Sequence, residues 1–143
     1  MLDVMTNRRI PRFARSCYGH LAGRLGVTVT EAMVARALLC QTPEGTFDVT
    51  DRGREWFRLL GIDIDHLEPS RRPIARCCLD GTERRFHLGG PLGVAMLERM
   101  IKRGWVRRPD TGRSLFLTET GARELTERLG LDPTSCVDGS DPR

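Results

Sequence analysis

Four residues of this 143-residue sequence carry the side-chain chemistry of a soft metal or effector site: Cys17 with His20, and Cys78 with His87. Thiolate sulfur and imidazole nitrogen are the donors preferred by Zn(II) and other thiophilic ions. Cys17 and His20 stand three apart, a spacing that on a helix turns both side chains to one face. His87 occupies the place of His20 in a second copy of the same segment, and Cys78, nine residues ahead of it, would approach from the linker side. The four together make a candidate Zn(II) site, or a pocket for an organic or redox effector. The plainer alternative is packing, since a buried cysteine behaves as a small hydrophobe and a histidine at a helix contact is commonly hydrogen-bonded structure. Cys77 and Cys78 are neighbours and do not readily close an unstrained disulfide with each other, so a thiol switch would need a third cysteine.

The elements that must position these residues are written twice. His20 to Leu39, HLAGRLGVTVTEAMVARALL, and His87 to Val106, HLGGPLGVAMLERMIKRGWV, share nine of twenty positions. A repeat of this kind decides the architecture before any local reading. Leu21, Leu25, Val29 and Met33 recur four apart, which predicts a helix from about Phe13 to Leu39. The turn residues Thr42-Pro43-Glu44-Gly45 and the strand Thr46–Thr50 then predict a β-hairpin, and Thr50 caps a short helix, Asp51 to Leu60, that Gly61 closes. In the second copy Asp80 and Glu83 have capping-box spacing, which predicts a helix running to about Arg103. A turn at Pro109–Gly112, a strand Ser114–Leu117 and a helix from Thr118 to Gly130 follow. Gly23 and Gly26 recur as Gly90 and Gly93, as expected where a partner helix comes close.

The predicted fold class is α+β, with two tandem winged-helix-like units (long helix, β-hairpin wing, short helix) related by pseudo-twofold symmetry. Residues 1–12 read as a flexible lead-in, 13–65 as the first unit, 66–79 as a linker, 80–131 as the second unit and 132–143 as a disordered tail. Neither half buries its apolar helix face alone, so the two long helices are expected to meet. Closed symmetry of this sort also favours a homodimer.

All but one of the 23 basic side chains are arginine, and the net charge is +4, which suits contact with phosphate. Arg107, Arg108 and Arg113 around the second hairpin are the candidate contacts to a DNA backbone, whereas Arg84-Arg85 beside Glu83 reads as an ion-pair knot. Five cysteines without regular spacing are thiols of a reducing compartment, and the expected location is the cytoplasm. No apolar run nears the roughly 20 residues that span a bilayer, and the N-terminus has no signal-peptide core. A Gly-rich phosphate loop, a serine elbow and paired carboxylates are all missing from the sequence, and Cys17 with His20 lacks an oriented third member. The expectation is therefore not an enzyme.

Three strings carry a resemblance. Lys102-Arg103-Gly104-Trp105-Val106 followed by Leu115-Phe116-Leu117-Thr118-Glu119-Thr120-Gly121 looks like the wing and following helix of bacterial winged-helix regulators. Arg15-Ser16-Cys17-Tyr18-Gly19-His20-Leu21-Ala22-Gly23 and Cys78-Leu79-Asp80-Gly81-Thr82-Glu83-Arg84-Arg85-Phe86-His87-Leu88 resemble the C-terminal half of a group of ArsR-type transcriptional regulators. Gly19 and Gly81 depart from that group, which tends to carry Asp and Trp there. The resemblance implies a transcriptional regulator of ArsR type, or its C-terminal dimerisation and effector-sensing region, acting on DNA binding through dimerisation and wing contacts. Regulators of that type often sense thiophilic ions, so Zn(II) or another such ion stands among the candidate effectors. Residues 1–12 are too short for a helix-turn-helix, which leaves two alternatives open. One is a stand-alone ligand- or metal-binding module without DNA binding; the other is a truncated relative that antagonises full-length regulators.

Overall fold

The computed structural model describes residues 13–67 and 73–131. The expected lead-in and tail, and Glu68 to Arg72 of the linker, lie outside them. The chain runs β1 (Arg15–Cys17), β2 (His20–Ala22), α1 (Gly23–Ala35), β3 (Leu39–Gln41), β4 (Phe47–Val49), α2 (Asp51–Leu60) and a short α3 (Ile64–Leu67). It continues through β5 (Arg76–Leu79), β6 (Phe86–Gly89), α4 (Gly90–Lys102), β7 (Val106–Arg107), β8 (Phe116–Leu117) and α5 (Glu119–Leu129). Hairpin, helix, hairpin and helix thus occur twice in the same order. Each pair of consecutive strands forms an antiparallel two-stranded sheet.

Both long helices begin later than the apolar spacing predicts, because a hairpin precedes each. Tyr18 and Gly19 have φ of 52° and 89°, the left-handed backbone of a two-residue hairpin turn, so Arg15, Ser16 and Cys17 pair with Ala22, Leu21 and His20. Leu21 and Leu25, four apart, therefore belong to a strand and to the helix after it. In the second copy Asp80 does bind the backbone N–H of Thr82 and Glu83 as a cap would, at 3.1 and 2.9 Å. No helix follows it. The backbone N–H of Asp80 donates to the Arg85 carbonyl and that of Arg84 to the Asp80 carbonyl, and this turn feeds β6. The helix α4 starts only at Gly90, with Pro91 in its first turn, where a missing N–H costs nothing.

The later half of each copy matches the sequence reading. Thr50 Oγ1 accepts from Gly53 N at 2.8 Å and Thr118 Oγ1 from Gly121 N at 3.0 Å, each capping its helix, and Gly61 and Gly130 close α2 and α5 in the left-handed conformation. The same two threonines donate back to carbonyls of the preceding chain, Ala37 for Thr50 and Gly104 for Thr118.

The two copies are joined strand to strand and helix end to helix end. Ser16 N donates to Arg113 O and Leu115 N to Ala14 O, tying the first hairpin to the second wing; Cys77 N to Gly45 O and Phe47 N to Ala75 O tie the second hairpin to the first wing. Arg36, which follows the last residue of α1, donates to the Leu129 carbonyl at the end of α5, while Arg99 on α4 donates to the Leu60 carbonyl at the end of α2. These guanidinium groups satisfy carbonyls that a helix leaves unpaired. The long helices do not meet chiefly face to face as expected: α1 rests on β6 and α4 on β2. A Cβ on Gly93 would stand 2.5 Å from the Leu88 carbonyl oxygen and 3.1 Å from His20 Cβ, and one on Gly26 would stand 2.6 Å from the Leu21 carbonyl oxygen. The repeated glycines thus admit the backbone of a strand, not a partner helix.

One apolar cluster runs through both copies, from Leu25, Val29 and Met33 to Leu92, Leu97 and Met100, with Trp105 and Phe57 also buried. Ile62, Ile64 and Ala75, on either side of the segment outside the description, belong to it.

Candidate functional site

Where the two hairpins face each other the interior changes from apolar to polar. Cys17 and His20 are cross-strand partners in the first hairpin, and Cys78 and His87 are cross-strand partners in the second. The strand pairing, not a helix turn, sets side chains of each pair on one face of their ribbon. The ligand atoms of all four residues lie within 4.8 Å of one another. His20 Nε2 and His87 Nε2 are 3.0 Å apart, with ring centroids at 4.9 Å. Both histidines are buried and both cysteines half-buried, so the thiols form the outer side of the cluster.

Behind His87 lies Asp80, fully buried, which collects donors from both copies. Its Oδ1 takes Gly23 N at 2.7 Å, His87 Nδ1 at 3.1 Å and the Arg15 guanidinium at 3.4 Å. Oδ2 takes Thr82 N, Thr82 Oγ1 at 2.8 Å and Glu83 N. Burial would raise the carboxyl's pKa, but the N–H groups of Gly23 and Glu83, the Thr82 hydroxyl and Arg15 outweigh it and hold Asp80 well below the usual carboxylate range. As an anion Asp80 accepts the Nδ1–H of His87, and this leaves His87 Nε2 as a lone pair directed at His20. His20 then donates its Nε2–H into that lone pair.

Burial, with His87 adding to it, lowers the pKa of His20 to about 4. Burial also lowers that of His87, against the opposing pull of Asp80. The Cys78 thiol is pushed up to about 11, first by burial and then by Cys17 and Asp80, with Arg76 opposing. Near neutral pH the cluster is thus two neutral imidazoles and a protonated Cys78 beside an ionised, arginine-paired carboxylate. Two thiols and two imidazoles are a complete tetrahedral donor set for a soft divalent ion, and the Asp80–His87 hydrogen bond is the outer support that metal-binding histidines commonly have.

The remaining candidates lie elsewhere. Arg107, Arg108 and Arg113 are exposed on the second wing and their side chains are not part of the cluster, with Arg107 stacked over the Phe116 ring at 4.8 Å. Glu83 pairs with Arg24 through two bonds of 3.1 Å, and Arg85 lies 3.3 Å from Glu31. These ion pairs tie the Asp80–Arg85 turn to α1, so the knot expected around Arg84-Arg85 draws its partners from the other copy.

Sequence reasoning missed Asp80 and Arg15 as parts of the cluster. The signal was present but displaced: Phe13-Ala14-Arg15-Ser16-Cys17 matches Ile74-Ala75-Arg76-Cys77-Cys78 at a spacing of 61, whereas His20 and His87 are 67 apart. The longer turn of the second hairpin accounts for the difference, so one fixed offset aligns the histidines and loses the cysteines.

No protein-family model matches the chain, and no solved structure matches it. Among curated proteins it is similar to one described as "Uncharacterized HTH-type transcriptional regulator YdfF" from Bacillus subtilis (strain 168), with 40% identity over 119 residues. Those residues are 83% of this chain and 52% of the relative. The chain that builds the cysteine–histidine cluster thus spans about half the length of the curated relative it matches, a protein named for its helix-turn-helix and for transcriptional regulation.

Proposed function

We propose that this chain is the dimerisation and effector-sensing region of a transcriptional regulator of ArsR type, with the cluster of Cys17, His20, Cys78 and His87 as the place where the signal is received. The observation that carries the reading is the 40% identity with a protein named as an HTH-type transcriptional regulator. The ArsR-type strings around Cys17 and Cys78 support the narrower assignment. Two hairpin–helix–hairpin–helix copies, with reciprocal hydrogen bonds between them, support a pair of winged-helix-like units related by a pseudo-twofold axis. Sensing fits a polar cluster buried between two halves, because a ligand there biases how the halves sit against each other.

The partners under this reading are DNA and a second copy of the chain. Under this reading the exposed Arg107, Arg108 and Arg113 touch phosphates, which position a protein on DNA without reading its sequence. Fluorescence anisotropy with a duplex taken from upstream of the protein's own coding sequence tests the DNA part. Binding is expected at low salt, weakening steeply as salt rises and also on changing Arg107 and Arg108 to Ala. Sedimentation equilibrium tests the homodimer. A chain that stays monomeric at tens of micromolar and gives no anisotropy change at low salt would overturn the proposal.

A further inference from the structure

We infer that Cys17, His20, Cys78 and His87 form a closed, four-coordinate site for Zn(II) that staples the two halves of the chain together. Each half supplies one cross-strand Cys–His pair, so an ion bound by all four bridges them. The inference identifies the ligand of the cluster named above. It stands on geometry alone and does not need the chain to act on DNA.

Four lines of geometry converge. In a tetrahedral site with bonds of about 2.3 Å to sulfur and about 2.0 Å to nitrogen, neighbouring donors lie roughly 3.3–3.8 Å apart. Here the two Nε2 atoms are 3.0 Å apart and no pair of donors is beyond 4.8 Å, so side-chain movements on the order of 1 Å would seat the ion. The donor set selects the ion. Two sulfurs and two imidazoles suit Zn(II) and exclude Mg(II) and Ca(II), which need oxygen. Charge closes as well, because two thiolates neutralise a divalent cation while Asp80 is offset by Arg15 at 3.4 Å. Finally, Asp80 already holds the Nδ1 of His87, which aims Nε2 into the cluster.

Coordination exchanges two S–H bonds for two Zn–S bonds and releases both protons to solvent; His20 changes tautomer, its proton leaving Nε2 while Nδ1 takes one up, so that the Nε2 lone pairs of the two histidines fill the other positions. No oxidant or reductant takes part. With four protein donors the ion has no open position for substrate, which is the arrangement of a structural or sensing site and not of a catalytic one. Cys17 and Cys78 are only half-buried while both histidines are buried, so an ion would enter from the cysteine side. Asp80 also binds Gly23 N, the first residue of α1, so occupancy of the site is felt at the start of that helix.

The test is a zinc titration of the full chain, stripped with a chelator and kept reduced, read by metal content after desalting and by thermal denaturation. One zinc per chain and a Tm rise of several degrees at tenfold excess are expected. Cys17→Ser, Cys78→Ser and His20→Ala should each lower the affinity at least tenfold and abolish the Tm rise. Cys40→Ser and His66→Ala, exposed and outside the cluster, should leave both readouts unchanged. Near-UV circular dichroism of each metal-free variant shows whether it is folded, and only folded variants are compared. Less than 0.2 zinc per folded wild-type chain, or equal zinc uptake by the double variant Cys17→Ser/Cys78→Ser, overturns the inference. Those results bear on the ion alone; a chain that takes up zinc yet neither dimerises nor binds DNA would instead overturn the regulatory reading.

Discussion

Replacing Asp80 by Asn is the sharpest perturbation of this structure, because it alters charge and donor pattern while hardly changing volume. The carboxylate is fully buried and receives six donors: three on Oδ1, from Gly23, His87 and Arg15, and three on Oδ2, from Thr82 twice and Glu83. Asn keeps one acceptor oxygen and turns the other into an NH2 group. Either way round, three donors then face a donor. A buried group left unmatched costs about 1–3 kcal/mol, and removing one partner of a buried ion pair about 3–5 kcal/mol. The Thr82 hydroxyl can rotate and the Arg15 contact is long, so these costs do not add fully. The expected loss is about 3–5 kcal/mol, a large share of the roughly 5–15 kcal/mol that holds a small domain folded. Urea denaturation followed by fluorescence of the buried Trp105 measures it, with Asp110→Asn in the exposed wing turn as a control expected within about 0.5 kcal/mol of wild type. A loss below about 1 kcal/mol for Asp80→Asn would show that the carboxylate does not organise the junction.

Further expectations follow from the same contacts. Gly93→Ala places a Cβ 2.5 Å from the Leu88 carbonyl oxygen and should destabilise the chain by about 1–3 kcal/mol in urea, while Gly45→Ala, in open space but at φ +83°, should lose only about 1 kcal/mol of backbone strain. Equal losses would contradict the close packing at Gly93. Thr50→Ala and Thr118→Ala each remove a cap and should cost about 1–2 kcal/mol, more than Thr120→Ala, which lies inside the first turn of α5. Folded His20, with its pKa near 4, holds fewer protons than unfolded His20 at 6.5, so the metal-free chain should lose stability as pH falls through that window. The loss is at most about 3 kcal/mol from His20, with His87 acting in the same direction, and urea midpoints at pH 7.5, 6 and 5 report it. Asp80 adds little to that slope above pH 5, because its unfolded value of 3.8 already lies below that range and its folded value is lower still. Midpoints that do not move between pH 7.5 and 5 would mean the imidazoles are not buried.

Much of the second half of each copy was legible in the sequence, because its signals are local. A threonine cap, one apolar face on a helix of ten or eleven residues and a closing glycine fix α2 and α5 from local signals. The first half was not legible for a physical reason. Cys17-Tyr18-Gly19-His20 makes a hairpin only because Tyr18 accepts a left-handed backbone, a cost that the hydrogen bonds to the second wing at Ser16 and Ala14 help to offset. Period-four leucines then continue across the strand–helix boundary and imitate one longer helix. Asp80 likewise carries the local mark of a helix cap, and only the distant donors Gly23 and Arg15 show its other role. The four residues picked from the sequence by chemistry do lie together, though by cross-strand pairing instead of helical spacing.

X-ray absorption at the zinc edge on the zinc-loaded full chain bears most directly on the idea that two cross-strand Cys–His pairs meet at one centre. Two sulfur neighbours at about 2.3 Å and two imidazole nitrogens at about 2.0–2.1 Å are expected. A shell of five or six oxygens or nitrogens with no sulfur would contradict it.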